Sequence, residues 1–301
     1  MTDTFHGAWP ALITPATADG EVNCAVLRDL VEYLIGKGIG GLYVCGSTGE
    51  GLQLSVEERV QVTDTVLAQV RGRVPIIVHA GATATRHACA LAVHAQKVGA
   101  AGFGSVLPSV GGGLESTYAH YRAIAAAAPN LPFFPYLFGG QTDAVSLMTE
   151  LRRRIPNAGG AKYTGPSMFE LKRLVDLGST ESGKGWTIFS GMDEQCIYAA
   201  MSGAPANIGS TLNPMPGAYR EIRRRCESGD VAGANDLQLR VNRVTALLLD
   251  AGFPGALRES MRILGFDCGE PRLPLLPLAA EKRAVLRSEL ASVGFAELAA
   301  M

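Results

Sequence analysis

Lys162 has more chemical potential than any other residue in this chain. Among 301 residues there are only six lysines, at positions 37, 97, 162, 172, 184 and 282. Five stand in turns or on helical patterns, where an ammonium stays hydrated. Lys162 instead ends an apolar run, Ala158-Gly-Gly-Ala-Lys162. Burial penalises the charged form of an amine, and the neutral amine is the nucleophile that condenses with a ketone to a Schiff base. The competing reading is a structural lysine paired with Glu50 or Asp193. Three further groups could serve the same chemistry. Gly46-Ser47-Thr48-Gly49-Glu50 follows another apolar run. The amides and two hydroxyls of such a turn can bind a small carboxylate, or the turn can simply join strand to helix. Tyr136 stands as a proton shuttle or as a rim aromatic. Asp193 and Glu194 can accept hydrogen bonds from sugar hydroxyls or cap the helix that follows.

These residues need a scaffold that brings them together. Short apolar runs recur at 8–14, 41–46, 75–80, 102–107, 131–137, 158–162, 186–190 and 205–209. They are mostly continuous rather than alternating, as in strands covered on both faces. Amphipathic stretches at 55–69, 85–98, 114–128, 146–155 and 167–176 lie between them. Ser55 and Glu58 have capping-box spacing, and Thr85 and Ser167 are expected N-caps. Eight strand–helix units with no hairpin signature fit a (β/α)8 TIM barrel better than a doubly wound sheet. After residue 222 the pattern turns helical, at 228–249 and 278–300, joined through 252–277. The expected organisation is therefore α/β, with a catalytic barrel over 1–222 and a C-terminal helical extension over 223–301. In such a barrel the working groups stand at the C-terminal ends of the strands. Ser47, Thr48, His79, Tyr136, Lys162, Thr164, Gly191, Asp193, Glu194 and Ser210 all fall there.

Composition removes other classes. The hydrophobic fraction of 47% supports a large core, and 27 basic against 28 acidic residues leave a formal charge of −1. That balance argues against nucleic acid or an anionic membrane surface as partner. The apolar runs are too short or too glycine-rich to span a bilayer. The N-terminal stretch has no secretory pattern, so a cytoplasmic protein is expected. Six scattered cysteines match no zinc spacing and read as small buried hydrophobes, with no metal expected. Gly36-Lys-Gly-Ile-Gly-Gly41 matches a dinucleotide fingerprint only formally, because it precedes a strand. The stretch 178–185 fails as a phosphate loop, ending in glycine where Ser or Thr is required. The arginine runs 152–154 and 223–225 read as solvated helix faces or oligomer contacts.

Taken together, Gly46-Ser-Thr-Gly-Glu50, Tyr136, Lys162 and Ile208-Gly-Ser-Thr211 resemble the dihydrodipicolinate synthase / N-acetylneuraminate lyase family of pyruvate-handling class I aldolases. The resemblance runs from Gly7-Ala-Trp-Pro-Ala-Leu-Ile-Thr-Pro15 to the last helices. It implies a Schiff base on Lys162, Tyr136 as proton carrier steered by Ser47, and Ser47 and Thr48 on the carboxylate of a 2-oxo acid. It also implies a homotetramer and no metal or organic cofactor. Ser47-Thr48, His79-Ala-Gly81, Lys162-x-Thr164, Gly191-x-Asp193-Glu194 and Gly209-Ser210-Thr211 are most similar to the lyase branch. There Thr164, Gly191, Asp193, Glu194 and Ser210 would hold the sugar part of sialic acid, which is split into pyruvate and N-acetylmannosamine. The synthase branch has arginine five residues past the tyrosine, where this chain has Gln141. Two loops depart from the family. Tyr136 is followed by Leu-Phe-Gly-Gly rather than Asn-x-Pro. Residues 108–113 read Pro-Ser-Val-Gly-Gly-Gly, where the family often has a tyrosine that reaches a neighbouring subunit. Both loops shape the pocket, which leaves alternatives: a 2-keto-3-deoxy sugar acid aldolase or dehydratase, or a non-catalytic keto-acid-binding barrel; 4-hydroxy-tetrahydrodipicolinate synthase is disfavoured by Gln141.

Overall fold

The computed structural model describes residues 4–107, 113–138, 143–179 and 185–301. The expectations placed on 108–112, Gln141 and Lys184 lie outside the described residues. Eight strands form one parallel sheet: β1 (Gly7–Pro10), β2 (Leu42–Val44), β3 (Ile76–His79), β4 (Gly102–Val106), β5 (Phe133–Phe138), β6 (Gly160–Thr164), β7 (Thr187–Ser190) and β8 (Ala206–Gly209). Their order is β1-β8-β7-β6-β5-β4-β3-β2. The Ala11–Tyr43 bridge brings the two ends of the sheet together. There the Leu12 amide donates to the Tyr43 carbonyl at 2.9 Å. The result is a (β/α)8 TIM barrel.

The helices between the strands are α1 (Cys24–Gly36), α2 (Val56–Val70), α3 (Thr85–Lys97), α4 (Leu114–Ala127), α5 (Ala144–Arg154), α6 (Met168–Ser179), α7 (Cys196–Met201) and α8 (Pro216–Glu227). α1 buries Leu27, Leu30, Val31 and Leu34, one stripe at three- and four-residue spacing. Each such side chain contributes about 1.5–3 kcal/mol. Ser55 and Glu58 form the expected capping box on α2, and Ser167 accepts from the Glu170 amide. Thr85 does not cap α3. Ala84 holds the cap position, and the Thr85 hydroxyl instead bonds His120 Nδ1 at 2.9 Å. The Gly36–Gly41 stretch is the helix-to-strand turn between α1 and β2.

Inside the ring, Phe5, Trp9, Ala11, Tyr43, Ile77, Phe134, Phe189, Ala206 and Ile208 form a separate apolar cluster. Phe134 and Phe189 meet edge to face at 5.4 Å and 83°, and Trp9 meets Phe189 at 5.5 Å. Such pairs add about 0.5–1.5 kcal/mol each beyond burial. This aromatic floor fixes which positions point inward. Side chains on a strand alternate, so Tyr136 follows Phe134 inward, His79 follows Ile77 and Ser210 follows Ile208.

The extension consists of α9 (Val231–Ile263), α10 (Ala280–Ser292) and α11 (Phe295–Ala300). Residues 253–263, expected as part of a connecting segment, are helical. α9 bends at Gly252, where φ is 111°, and then resumes. Pro254 falls within the first turn after the bend, where a missing amide does no harm. Arg223 is not solvated as expected. It is buried against the barrel and donates to the Ala204 and Pro205 carbonyls at 2.9 and 2.6 Å. All six cysteines are free thiols. Cys45, Cys196 and Cys268 are buried, while Cys24, Cys89 and Cys226 are half-buried rather than core. Among the described residues no helix is long and apolar enough to cross a membrane.

Candidate active site

Lys162 and Tyr136 sit inside their strands rather than at the ends expected, because β5 and β6 each run two residues further. The two residues are paired across the ladder, and Lys162 is paired with Phe189 on its other side. All three therefore face the barrel interior. Lys162 is 5% exposed. Its Nζ stands 4.1 Å from the Tyr136 ring centroid and 5.0 Å from that of Tyr43. Neither candidate carboxylate partner is paired with it. Glu50 accepts from Arg258 Nε at 3.2 Å and from the Arg272 amide at 2.8 Å. Asp193 Oδ2 accepts from the Thr211 amide at 2.8 Å and hydroxyl at 2.7 Å. Among the described residues no ion pair reaches Lys162.

These groups open into a cavity of about 400 Å³ at the C-terminal mouth of the barrel. Ser47, Thr48, Tyr136, Lys162, Thr164, Gly191, Asp193, Glu194 and Ser210 all line it. Nine of the ten residues that the sequence placed at the strand ends thus converge on one cavity. Thr48 Oγ1 and Ser210 Oγ lie 2.6 Å apart and join the loops after β2 and β8. The steering of Tyr136 by Ser47 is not present: among the described residues Ser47 is exposed and no hydrogen bond joins the pair. Catalytic hydrogen bonds of this kind often tighten only around bound substrate. A larger open groove of about 620 Å³ lies outside the barrel against α2 and α3. Its Arg59 is committed to the carbonyls of Gly81 and His79, and it holds no lysine.

The loop after β7 is built for close approach. At Gly191 a Cβ would lie 1.8 Å from Thr164 Oγ1 and 3.1 Å from Lys162 Cε. At Gly209 a Cβ would lie 1.4 Å from Asp193 Oδ1. Asp193 opens a single 3-10 turn and caps no helix. Its Oδ2 is held by Thr211, whose hydroxyl also meets Tyr219 Oη at 2.7 Å. Its Oδ1 is buried without a partner, and so is Thr164 Oγ1. Burial, aided by Glu194, pushes the Asp193 carboxyl up to about 6 against the pull of the Thr211 bonds and Lys162. Two unpartnered polar atoms on residues of the cavity wall invite hydrogen bonds from a ligand.

His79 braces the opposite wall. Its Nε2 accepts from the Val106 amide at 3.0 Å, so its proton is on Nδ1, directed at the Cys45 carbonyl at 3.1 Å. Burial, then the charges of Arg59 and Lys162, push its pKa well below the usual histidine value. The ring is a neutral brace. Several site residues were not singled out from sequence. Tyr43 and Arg258 are among them, as are Gln238 and Asn242. These last two hold the carbonyls of Asp193 and Glu194 from α9 at 3.1 Å each. Arg258 lines the cavity, is 2% exposed, and binds Glu50 and the Thr14 carbonyl, which pins the extension onto the barrel mouth. Leu249, Phe253, Leu257 and Leu275 supply an apolar outer wall.

A closed parallel barrel with a buried lysine facing a tyrosine in a cavity at its C-terminal mouth has the architecture of a TIM-barrel enzyme. The chain belongs to the dihydrodipicolinate synthetase family, whose model matches residues 4–293. It is 31% identical over 301 residues to the N-acetylneuraminate lyase of Mus musculus, spanning 97% of this chain and 93% of that one. It is 32% identical to the 4-hydroxy-tetrahydrodipicolinate synthase of Leptothrix cholodnii, spanning 96% and 98%. The structure of Proteus mirabilis N-acetylneuraminate lyase superposes with a TM-score of 0.90 at 31% identity, covering 97% of this chain and 99% of that one.

Proposed function

We propose that this protein is a Schiff-base carbon–carbon lyase that cleaves or forms the bond between pyruvate and an aldehyde. The substrate is sialic acid or a close relative, split into pyruvate and N-acetylmannosamine. The observation that carries this reading is the buried amine of Lys162, in no ion pair among the described residues and in register with Tyr136. The 2-oxo acid carboxylate binds the Ser47–Thr48 loop. Nζ attacks C2, water leaves, and the protonated imine takes the electron pair of the C3–C4 bond. Tyr136 carries the proton between the substrate and the leaving aldehyde. Thr164, Gly191, Asp193, Glu194 and Ser210 hold the hydroxylated part. The imine is itself the electron sink, so no metal or organic cofactor is required. The same reading carries a homotetramer in the cytoplasm, which light scattering would test as four chain masses in solution. Incubation with pyruvate and borohydride should leave a reduced adduct on the Lys162 peptide, and an unmodified Lys162 would refute the Schiff base.

The apolar outer wall of Leu249, Phe253, Leu257 and Leu275 supports a second reading. It offers little to a long polyhydroxylated tail, which suits a shorter 2-keto-3-deoxy sugar acid, cleaved or dehydrated with the same Lys162 and Tyr136. Relative turnover of N-acetylneuraminate and 2-keto-3-deoxygluconate separates the two.

A further inference from the structure

We propose that the ring of Tyr43, together with that of Tyr136, is an aromatic seat for the positive nitrogen of the Lys162 imine, which makes Tyr43 a catalytic residue. The inference rests on the Schiff-base reading and adds what balances the charge of its intermediate. Lys162 Nζ lies over both rings, 4.1 Å from the Tyr136 centroid and 5.0 Å from the Tyr43 centroid. A cation within about 6 Å of an aromatic face is attracted by the ring quadrupole, and more so when water is excluded. All three side chains are buried: Lys162, Tyr43 and Tyr136. No carboxylate is ion-paired with Lys162 among the described residues: Glu50 is taken by Arg258, and Asp193, which feels the charge of Lys162, has its Oδ2 bound by Thr211.

Tyr43 is not held there by its hydroxyl. Its Oη is buried, close to Gly104, and has no hydrogen-bond partner among the described residues. What Tyr43 presents to the reaction is the face of its ring. Its floor position beneath the amine follows from barrel closure, because β2 and β6 meet only across the interior.

The chemistry needs a cation at this point. The amine adds to the C2 ketone, and the carbinolamine takes up one proton and loses water. This leaves the C2=Nζ–H group with one positive charge. In cleavage, the C3–C4 electron pair becomes the C2=C3 bond and the C2=Nζ pair returns to nitrogen. The C4 hydroxyl proton leaves through Tyr136, and the far fragment departs as an aldehyde. A neutral imine is a poor sink for that electron pair. The fraction of adduct that is protonated therefore sets the fraction able to react, and the two rings raise it.

The test is a ring-electronics series at position 43 in the full chain. Tyr43→Phe is the reference, followed by encoded phenylalanines with one, three and five fluorines. These keep the ring and nearly its volume while draining the negative face. Each is saturated with pyruvate and trapped with cyanoborohydride, which reduces the protonated imine, across a range of pH. The expected result is that Tyr43→Phe traps within about two-fold of the unaltered protein, and that pentafluorination costs about ten-fold near pH 8. The alkaline limb of the profile should move stepwise to lower pH with each added fluorine. A limb that stays in place along the series overturns the proposal. A Tyr43→Phe loss as large as that of the pentafluoro variant also overturns it, because the hydroxyl would then be the working group. Absence of any Lys162 adduct in the unaltered protein is a different outcome and removes the Schiff base itself.

Discussion

Asp193→Asn sets the electrostatics of the site against the stability of the barrel. Asp193 is 7% exposed, and folding raises its carboxyl from 3.8 to about 6, with burial as the largest cause. Between those values the native chain keeps a proton that the unfolded chain has released. Stability therefore falls as pH rises. This contribution is intact below about pH 4 and lost once the native carboxyl ionises above about pH 6. A rise of about two units at about 1.4 kcal/mol per unit amounts to ~3 kcal/mol. Asparagine cannot ionise, and its amide oxygen can still accept from both Thr211 donors. The unfolding free energy of the variant minus that of the unaltered protein should then grow by ~3 kcal/mol between about pH 4 and pH 7. At this chain length the gain corresponds to roughly 6 °C in Tm. Urea titrations and thermal melts of both proteins, taken in parallel across that range, measure it. Other titrating groups are common to the two proteins and cancel in the difference. A difference that is flat, or that shrinks as pH rises, would show that the Asp193 carboxyl is not desolvated as its surroundings require.

Three other substitutions probe separate parts of the site. Tyr136→Phe should lower kcat about 10²–10⁴-fold while borohydride still traps the pyruvate adduct; loss of the adduct would place Tyr136 in imine formation instead. Gly191→Ala puts a methyl 1.8 Å from Thr164 Oγ1 and 3.1 Å from Lys162 Cε. The displaced amine should form adduct about 10²-fold more slowly in stopped-flow measurements, and an unchanged rate would mean the loop yields freely. Arg258→Met leaves Glu50 buried without its cation and should cost about 3–5 kcal/mol in urea unfolding. The double variant Arg258→Met/Glu50→Leu should recover most of it, and a double variant no more stable than the single would contradict the buried-pair account.

The barrel was legible because strands covered on both faces carry unbroken apolar runs, and eight such runs with helical spacing between them have few other solutions. Lys162 was legible for the same reason, as an amine that breaks the pattern of its own strand. Arg223 was misread because three consecutive arginines on a helix point in three directions about 100° apart. One of them had to face the barrel, and the run as a whole looked like surface. Tyr43 and Arg258 were invisible for a different cause. Tyr43 looks like any core aromatic until the ring closes and sets it beneath a lysine. Arg258 lies 208 residues from the Glu50 it neutralises, and no local spacing can announce such a pair. The strand alternation joins these observations. Phe134, Ile77 and Ile208 belong to the inner floor, and the next inward residue on each strand is Tyr136, His79 or Ser210. The interior changes from apolar to polar within one side-chain layer, and Lys162 stands at that boundary in register with Tyr136 and Phe189. An amine placed one layer lower would be sealed among aromatic rings, and one layer higher it would be hydrated at the mouth. The place of the amine is a consequence of register, set by the same packing that stabilises the barrel.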